Sequence, residues 1–369
     1  MMNSPNIIGI TSGAAFLLGF LLLSHFRKVN VIANSYLGLF IITLGFAMLE
    51  IPLFHQRFYL KHPNLFEMIG LTRFLTAPLL YLSIFYFTAI NKKFEKKILW
   101  HFLPFLIFLV FRLPFFINGK NIEFSYETGR IVFFVLRIAL PLQAVVYWLL
   151  CFIKLKKHLK SLHQISSSPE KIDLIWLKYF ILILLLIIIV WLNLIFFNLE
   201  SLIEFTPIIY LFSVFFLAYF SLQQKEIFDF SKRDLAELSS IPLYKKDIPK
   251  RVSENRLNEL DEKLRTLVSI EKVYLENDLN LPKLSQKMDA SCNETSFLIN
   301  ELYQDNFYNF INKYRIEEAK RLLLSEKYNQ LNVLGIAYES GFNSKTTFNT
   351  TFKKYTGVSP TEFVKSNPM

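Results

Sequence analysis

Seven stretches of this chain are apolar for long enough to cross a bilayer, which takes about 20 residues of helix. They fall at 6–26, 31–54, 68–90, 98–117, 131–153, 175–197 and 206–222. In hydrocarbon every backbone N–H and C=O must be satisfied within the protein, and a helix does this segment by segment. The runs therefore predict a polytopic seven-helix transmembrane bundle over 1–222. The remainder differs in kind. Residues 1–224 hold 19 Lys/Arg against 9 Asp/Glu, whereas 225–369 hold 22 against 21. This split excludes a single soluble domain and a disordered chain. The net charge of +11 divides the same way, with +10 in the first part and +1 in the second. The basic balance thus speaks for a membrane, and a nucleic-acid partner has to be argued from motifs.

Orientation follows from Lys and Arg in the short loops. Arg27 and Lys28 follow the first run, Lys92, Lys93, Lys96 and Lys97 the third, and Lys154, Lys156, Lys157, Lys160 and Lys171 the fifth, which makes eleven on one side. The other side has Arg57, Lys61, Lys120 and Arg130, which is four, and the loop after the sixth run carries only Glu200 and Glu204. The N-terminus is therefore expected outside and everything after Leu222 in the cytoplasm. The first run lacks a preceding basic stretch and ends at Arg27-Lys28, the pattern of a retained span rather than a cleaved signal peptide.

Charged groups inside such runs are costly, about 2.5–3.5 kcal/mol on insertion scales, and need a reason. Glu50, Arg73, Arg112 and Arg137 come from four different runs, yet the alternating topology puts all four in the outer part of the bundle, with Asn193 at similar depth. Two readings fit. In one, the arginines reach to the interface, or one pairs with Glu50 to hold helices together. In the other, the five residues line an outward-open pocket for a ligand bearing a carboxylate or phosphate. Pro78, Pro104, Pro114, Pro141 and Pro207 supply kinks or helix ends that permit a cavity.

Enzyme chemistry finds no foothold. The histidines His25, His55, His62, His101, His158 and His163 form no HExxH pair, no glycine-rich phosphate loop is present, and no nucleophile–base pair stands out. Cys151 and Cys292 match no metal or disulfide spacing. The expectation is no catalytic residue, no metal and no cofactor.

After a linker over 223–252, with Pro242 and Pro249 and a possible amphipathic contact through Phe228, Phe230 and Leu235, the pattern becomes helical. Leu257, Leu260, Leu264 and Leu267 share one face. Short helices over about 281–288 and 292–303, separated by a tight break at 289–291, make a helix-turn-helix candidate. A long helix over about 307–326 follows, with Phe307, Phe310, Ile311, Tyr314, Ala319, Leu322 and Leu323 as its core face. The unit then repeats. A helix around 332–340 meets Gly341, suited to a left-handed cap, and Asn343 or Ser344 caps a helix running to about Tyr355. Phe348, Phe352 and Tyr355 bury one face of that helix. Ser344 lies at its start, and its opposite face shows Lys345, Thr346, Asn349, Thr350, Lys353 and Lys354 with no acid between them. Lysines there meet phosphates, and the shorter polar groups reach base edges in a major groove. An ordinary solvated helix face has the same composition.

Motifs separate the two readings. Ile336-Ala337, Gly341-Phe342, Phe348, Phe352-Lys353-Lys354, Gly357 and Ser359-Pro360, in that order, with Arg315-Ile316-Glu317-Glu318-Ala319-Lys320-Arg321-Leu322-Leu323 before them, resemble the AraC/XylS family of bacterial transcription regulators. The resemblance covers 255–363. It implies two helix-turn-helix units, joined by the long helix and set on adjacent major grooves of double-stranded DNA. The first unit departs from the pattern. Asp289 stands where Gly or Asn is usual, and 292–303 has no Lys or Arg but carries Glu294 and Glu301, leaving Asn293, Ser296 and Asn300 as its candidate base contacts. Fold class is thus all-α, a seven-helix bundle over 1–222, a linker over 223–252 and a double helix-turn-helix domain of AraC type over 253–369. The bundle looks like the membrane domains fused to such modules in some bacterial regulators. The expected protein is a one-component regulator in the bacterial inner membrane, with DNA, membrane lipid, a small-molecule or envelope signal and a second copy of itself as partners. The competing architecture is a seven-helix transporter or membrane enzyme with a regulatory tail.

Overall fold

The computed structural model describes residues 5–90, 95–169, 172–197, 199, 205–227, 232–239, 252–325 and 331–367. It is helical throughout. Among the described residues the one extended pairing is a single antiparallel bridge between Ser166 and Asn280. The chain forms two compact units, residues 1–156 with 174–227, and residues 157–173 with 228–369.

The first unit contains α1 (Pro5–Leu23), α2 (Val31–His55), α3 (Phe58–Lys61), α4 (Pro63–Leu71), α5 (Arg73–Thr88), α6 (Leu103–Asn118), most of α7 (Tyr126–Ile165), α8 (Ile175–Phe196) and α9 (Thr206–Gln223). Among the described residues, seven helical stretches are long and apolar enough to cross a membrane. α2 packs against α1 and α5, while α9 packs against α1 and α8. The α1–α2 crossing is tight because Gly19 and Gly38 face each other. A Cβ on either would come within 3.0 Å of the other's carbonyl oxygen. Small residues let helices approach closely where lipid gives no hydrophobic drive to associate.

Two spans differ from the sequence expectation. The third begins earlier, at Pro63, and is made of α4 and α5 with a break at Thr72. The fifth, expected over 131–153, is a 40-residue helix. At 1.5 Å per residue it is about 60 Å long, twice the hydrocarbon thickness of about 30 Å. Lys154, Lys156, Lys157 and Lys160, expected in a loop, lie on this helix. The cause is a continued stripe: Cys151, Leu155, His158, Leu162 and Ile165 are all buried, at steps of three and four. Lys92, Lys93, Lys171, Glu200 and Glu204 lie outside the described residues.

The second unit contains the end of α7 and its following segment, then α10 (Lys232–Ser239), α11 (Glu254–Ser269), α12 (Leu281–Lys287), α13 (Cys292–Leu302), α14 (Phe307–Leu323), α15 (Val333–Glu339), α16 (Lys345–Thr356) and α17 (Pro360–Ser366). Within the segment expected as a linker, residues 232–239 form a helix. α10 packs on α13, and Glu237 accepts a hydrogen bond from the Cys292 amide at 3.0 Å. Phe228, Phe230, Pro242 and Pro249 lie outside the described residues. Side chains cap the starts of seven helices among the described residues: Ser253, Asn280, Ser291, Asn306, Asn332, Ser344 and Ser359 each accept from an amide in the first turn.

Arg315 of α14 is fully buried and joins the parts of this unit. Its Nε donates to the Tyr274 carbonyl at 2.7 Å, and Nη2 to that of Glu276 at 2.8 Å. Nη1 faces the Ser167 carbonyl at 3.4 Å, Ser168 Oγ at 3.2 Å and Asn312 Oδ1 at 3.4 Å. The Phe342 ring lies 5.8 Å from the guanidinium carbon. Segment 166–168 is held further by a hydrogen bond from Ser167 Oγ to the Leu279 carbonyl at 2.6 Å and by Asn312 Nδ2 to the Ser167 carbonyl at 3.3 Å. Nearby, His163 stacks on Tyr308 at 4.5 Å.

Gly341 lies over this centre with φ +89°, and a Cβ there would come within 2.5 Å of the Tyr274 carbonyl and 2.9 Å of Arg315 Nε. Gly357, at φ +82°, has open space instead. Gly357→Ala is expected to cost only the left-handed backbone penalty of about 1–2 kcal/mol. Gly341→Ala should exceed it by a further ~1–3 kcal/mol of overpacking against rigid backbone. Amide hydrogen exchange over 307–323 in the full-length protein checks this, and equal effects of the two substitutions would contradict it.

Candidate nucleic-acid interface and intramembrane polar cluster

α16 is placed by its apolar side. Phe348 and Phe352 are buried in one cluster with Ile316, Ala319, Leu322, Leu323, Ile336 and Phe342, and Thr351 is buried as well. Ser344 accepts from the Thr347 amide at 3.1 Å, so its hydroxyl starts the helix rather than standing free for DNA. The other face carries Lys345, Thr346, Thr350, Lys353 and Lys354, all exposed, with Asn349 half-buried among them. Steps of four residues align Lys345, Asn349 and Lys353 in one row and Thr346 and Thr350 in a second. Thr350 Oγ1 is turned back on the Thr346 carbonyl at 2.8 Å. Lys354 Nζ donates to Asn309 Oδ1 at 3.1 Å. Asn349 Oδ1 is a buried acceptor with no hydrogen-bond partner among the described residues.

α13 has a different character. Ser291 and Glu294 form a reciprocal capping box, and Glu294 also pairs with Arg256 at 3.2 Å. Burial pushes the Glu294 carboxyl up, but the hydrogen bonds from Ser291 and Arg256 outweigh it and hold the group below its usual range. An acid that reads as repelling phosphate is thus occupied with the helix start. Asn300 Nδ2 is bound to the Ser296 carbonyl at 2.7 Å, and Asn293 is exposed. Asp289 takes φ +51°, the left-handed conformation for which Gly or Asn is usual at this turn. Burial pushes the Cys292 thiol up to about 12, so it is an inert packing group.

Residues 284–366 match the family model described as a helix-turn-helix domain. The C-terminal part of the chain is an AraC-type helix-turn-helix domain. Relatives described as uncharacterized HTH-type transcriptional regulators occur in Staphylococcus aureus strains COL, MSSA476 and N315. Each is 28% identical over 121 residues, which is 33% of this chain and 16% of the relative. The match therefore spans about a sixth of those proteins' length. No solved structure matches the chain significantly. Within the AraC-type domain, the buried arginine at 315 and the shape-restricted Gly341 both fall inside the matched residues.

In the bundle, Arg73 Nε donates to Glu50 Oε2 at 2.6 Å. Arg112 pairs with Glu67 at 2.6 Å, donates to Asn121 Oδ1 at 2.9 Å and lies 5.1 Å from the Phe115 ring centre. Glu67 was missed because it precedes the apolar run that marks the third span. These four charges line one cavity of about 280 Å³. Arg73 also lines a larger one of about 650 Å³, together with Arg137, His55, Gln143 and Thr206. Asn193 lines neither cavity, and its Nδ2 donates to the Leu199 carbonyl at 3.0 Å.

Glu50 has a side chain 10% exposed, so Arg73→Gln leaves a buried carboxylate without its partner. Breaking such a pair costs ~3–5 kcal/mol in a dry site, and the lower end applies because the Arg73 side chain is 43% exposed. The single variant is expected at reduced abundance in the membrane fraction, and Arg73→Gln with Glu50→Gln at near-normal abundance. A single variant at full abundance would show that the pair contributes nothing.

Proposed function

We propose that this chain is a membrane-embedded one-component transcription regulator. The bundle senses a signal at or outside the bacterial inner membrane, with the N-terminus outside. The AraC-type domain, in the cytoplasm, binds specific double-stranded DNA as part of a homodimer. The observation that carries this reading is the composition of the second unit. Residues 157–173, the connection between two apolar spans, are built into the same compact unit as the helix-turn-helix helices. A change in spans five or six then acts on a segment hydrogen-bonded to Asn312 and Arg315 and stacked on Tyr308. Tyr308 in turn shares a hydrogen bond of 3.2 Å with Thr351 on α16. That is a short path from a membrane loop to the helix that reads DNA.

Roles on α16 follow from exposure. Lys353 contacts phosphate, with Lys354 contributing less because Asn309 already holds it. Lys345, Thr346 and Asn349 face base edges, with Thr350 beside them. On α13, Asn293 has the most access, while Ser296 and Asn300 bind each other's turn.

Mapping promoter occupancy by the full-length protein in cells tests the reading with two kinds of variant. Lys353→Ala is expected to lower occupancy at all sites and to reduce the salt slope of binding by about 1. Asn349→Ala should shift preference at one base pair by ~1–3 kcal/mol. His163→Ala combined with Ser167→Ala should leave membrane abundance and occupancy intact but change transcription from the occupied promoters. Absence of reproducible promoter sites would end the regulator reading, and unchanged output from the loop variant would end the coupling role.

A further inference from the structure

We infer that the turn between α1 and α2 is a clasp on the chain that leaves the last span, and that it passes movement of these two helices to the DNA-binding domain. This rests on the reading of the bundle as a sensor and names a second route by which its state reaches the cytoplasm, beside the segment 157–173.

Asn30 is the centre of the clasp. It is buried, 3% exposed, and stands in the left-handed conformation at φ +47°. Few residues other than glycine adopt that backbone, and asparagine is foremost among them. Three of its polar groups meet residues 225–227. Its amide donates to Glu226 Oε2, its Nδ2 donates to the Lys225 carbonyl at 2.8 Å, and its Oδ1 accepts from the Ile227 amide at 3.3 Å. The fourth, its carbonyl, accepts from the Asn34 amide at 2.9 Å in the first turn of α2. All the hydrogen-bonding capacity of one residue thus joins the exit strap to the helix. Arg27, at the end of α1, adds a contact from its guanidinium to the Leu222 carbonyl in the last turn of α9.

The strap is tied to the sixth span as well. Gln224 is buried and accepts from Trp176 Nε1 at 2.6 Å, and the Trp176 ring lies parallel to that of Phe220 with 6.4 Å between centres. Trp176 stands at the start of α8, just after the first unit resumes at Leu174, and that unit ends at Ile227. Two of the places where the chain passes between the units are therefore joined to each other and to the α1–α2 turn. A connecting segment usually runs over the surface with its backbone groups in water. This one spends them on the first, second and sixth spans, within hydrogen-bond networks and rigid helices of the kind that carry coupling. The same turn joins the two helices that cross closely at Gly19 and Gly38, so a change in that crossing moves the residue that holds the strap. Past Ile227 the chain continues to α10, which packs on α13.

The test uses the full-length protein in nanodiscs and in cells. Asn30→Asp keeps the shape, removes the donor to Lys225 and sets a carboxylate beside that of Glu226, where like charges repel. Faster amide exchange is expected over 222–227, with 272–277 unchanged, and Asn30→Asp combined with Glu226→Gln should return exchange towards normal. Asn30→Gly, which keeps the left-handed backbone and loses both side-chain bonds, is the second variant and should also speed exchange there. Transmission is read by a double-mutant cycle that needs no knowledge of the signal. Gly38→Ala spreads the α1–α2 crossing, because its Cβ would meet the Gly19 carbonyl oxygen at 3.0 Å. It should change reporter output from occupied promoters at least about fivefold in the parent protein, and leave output unchanged in the Asn30→Asp background. Membrane abundance controls for folding, and Gly19→Ala, whose Cβ meets the movable Ile42 side chain first, replaces Gly38→Ala if that variant is not retained in the membrane. Unchanged exchange over 222–227 in both Asn30 variants would overturn the clasp. No effect of the glycine variant on output, or an equal effect in both backgrounds, would overturn its role in transmission. Absence of promoter occupancy in the parent protein would end the regulator reading instead, and exchange over 222–227 would still decide the clasp.

Discussion

One buried guanidinium organises the DNA-binding half of this protein. Taking a charge out of water costs several kcal/mol unless its donors are satisfied. Arg315 meets that requirement with acceptors from three separated stretches of chain: the connection before α12 (Tyr274 and Glu276), its own helix (Asn312) and the segment after α7 (Ser167 and Ser168). The planar fork of five N–H groups makes this possible, and a lysine cannot reproduce it. Gly341, in the turn of the second helix-turn-helix, is glycine partly because the guanidinium and the Tyr274 carbonyl occupy the space a side chain would need. The turn geometry of one helix-turn-helix unit, the approach to the other and the docking of the segment between two apolar, membrane-length helices therefore share a single centre.

That sharing gives the reading of function its physical content. A loop between two spans usually runs over the surface, free to vary. Here the Ser167 carbonyl and Ser168 Oγ instead accept from Asn312 and Arg315 in the core of the helix-turn-helix unit, Ser167 Oγ donates to the Leu279 carbonyl, and the exposed His163 ring at the end of α7 stacks on Tyr308. Because those acceptors satisfy a buried charge, pulling the loop away exposes donors on Arg315 and destabilises the central helix. α10 adds a second attachment through Glu237, at the start of α13. Signals of a few kcal/mol are enough to bias such an element between two states.

Much of the architecture was legible because its signals are local. Apolar runs mark spans, serines and asparagines mark helix starts, and the ordered motif from Ile336 to Pro360 marks the second helix-turn-helix unit. The extension of α7 was hidden by its lysines, which sit on the solvated side of a helix whose buried stripe continues through Leu162 and Ile165. Arg315 was visible in a motif, yet its burial was not, since its partners at Ser167 and Ser168 lie about 147 residues away in sequence. In the bundle the alternation of spans brought Glu50, Arg73, Arg112 and Arg137 to a common depth, but not their pairing. That depended on Glu67, an acid just outside an apolar run. Asn193 shared the depth and not the cavity wall, because depth says nothing of which way round a helix a residue points.

Hydrogen exchange read by mass spectrometry on the full-length protein in nanodiscs tests most directly whether the membrane loop belongs to the DNA-binding core. Arg315→Lys removes the fork while keeping the charge. The account predicts faster exchange in both 162–169 and 272–277, with α1 and α2 unchanged. Faster exchange confined to 272–277, with 162–169 as before, would show that the loop is not held by the domain and would contradict the account.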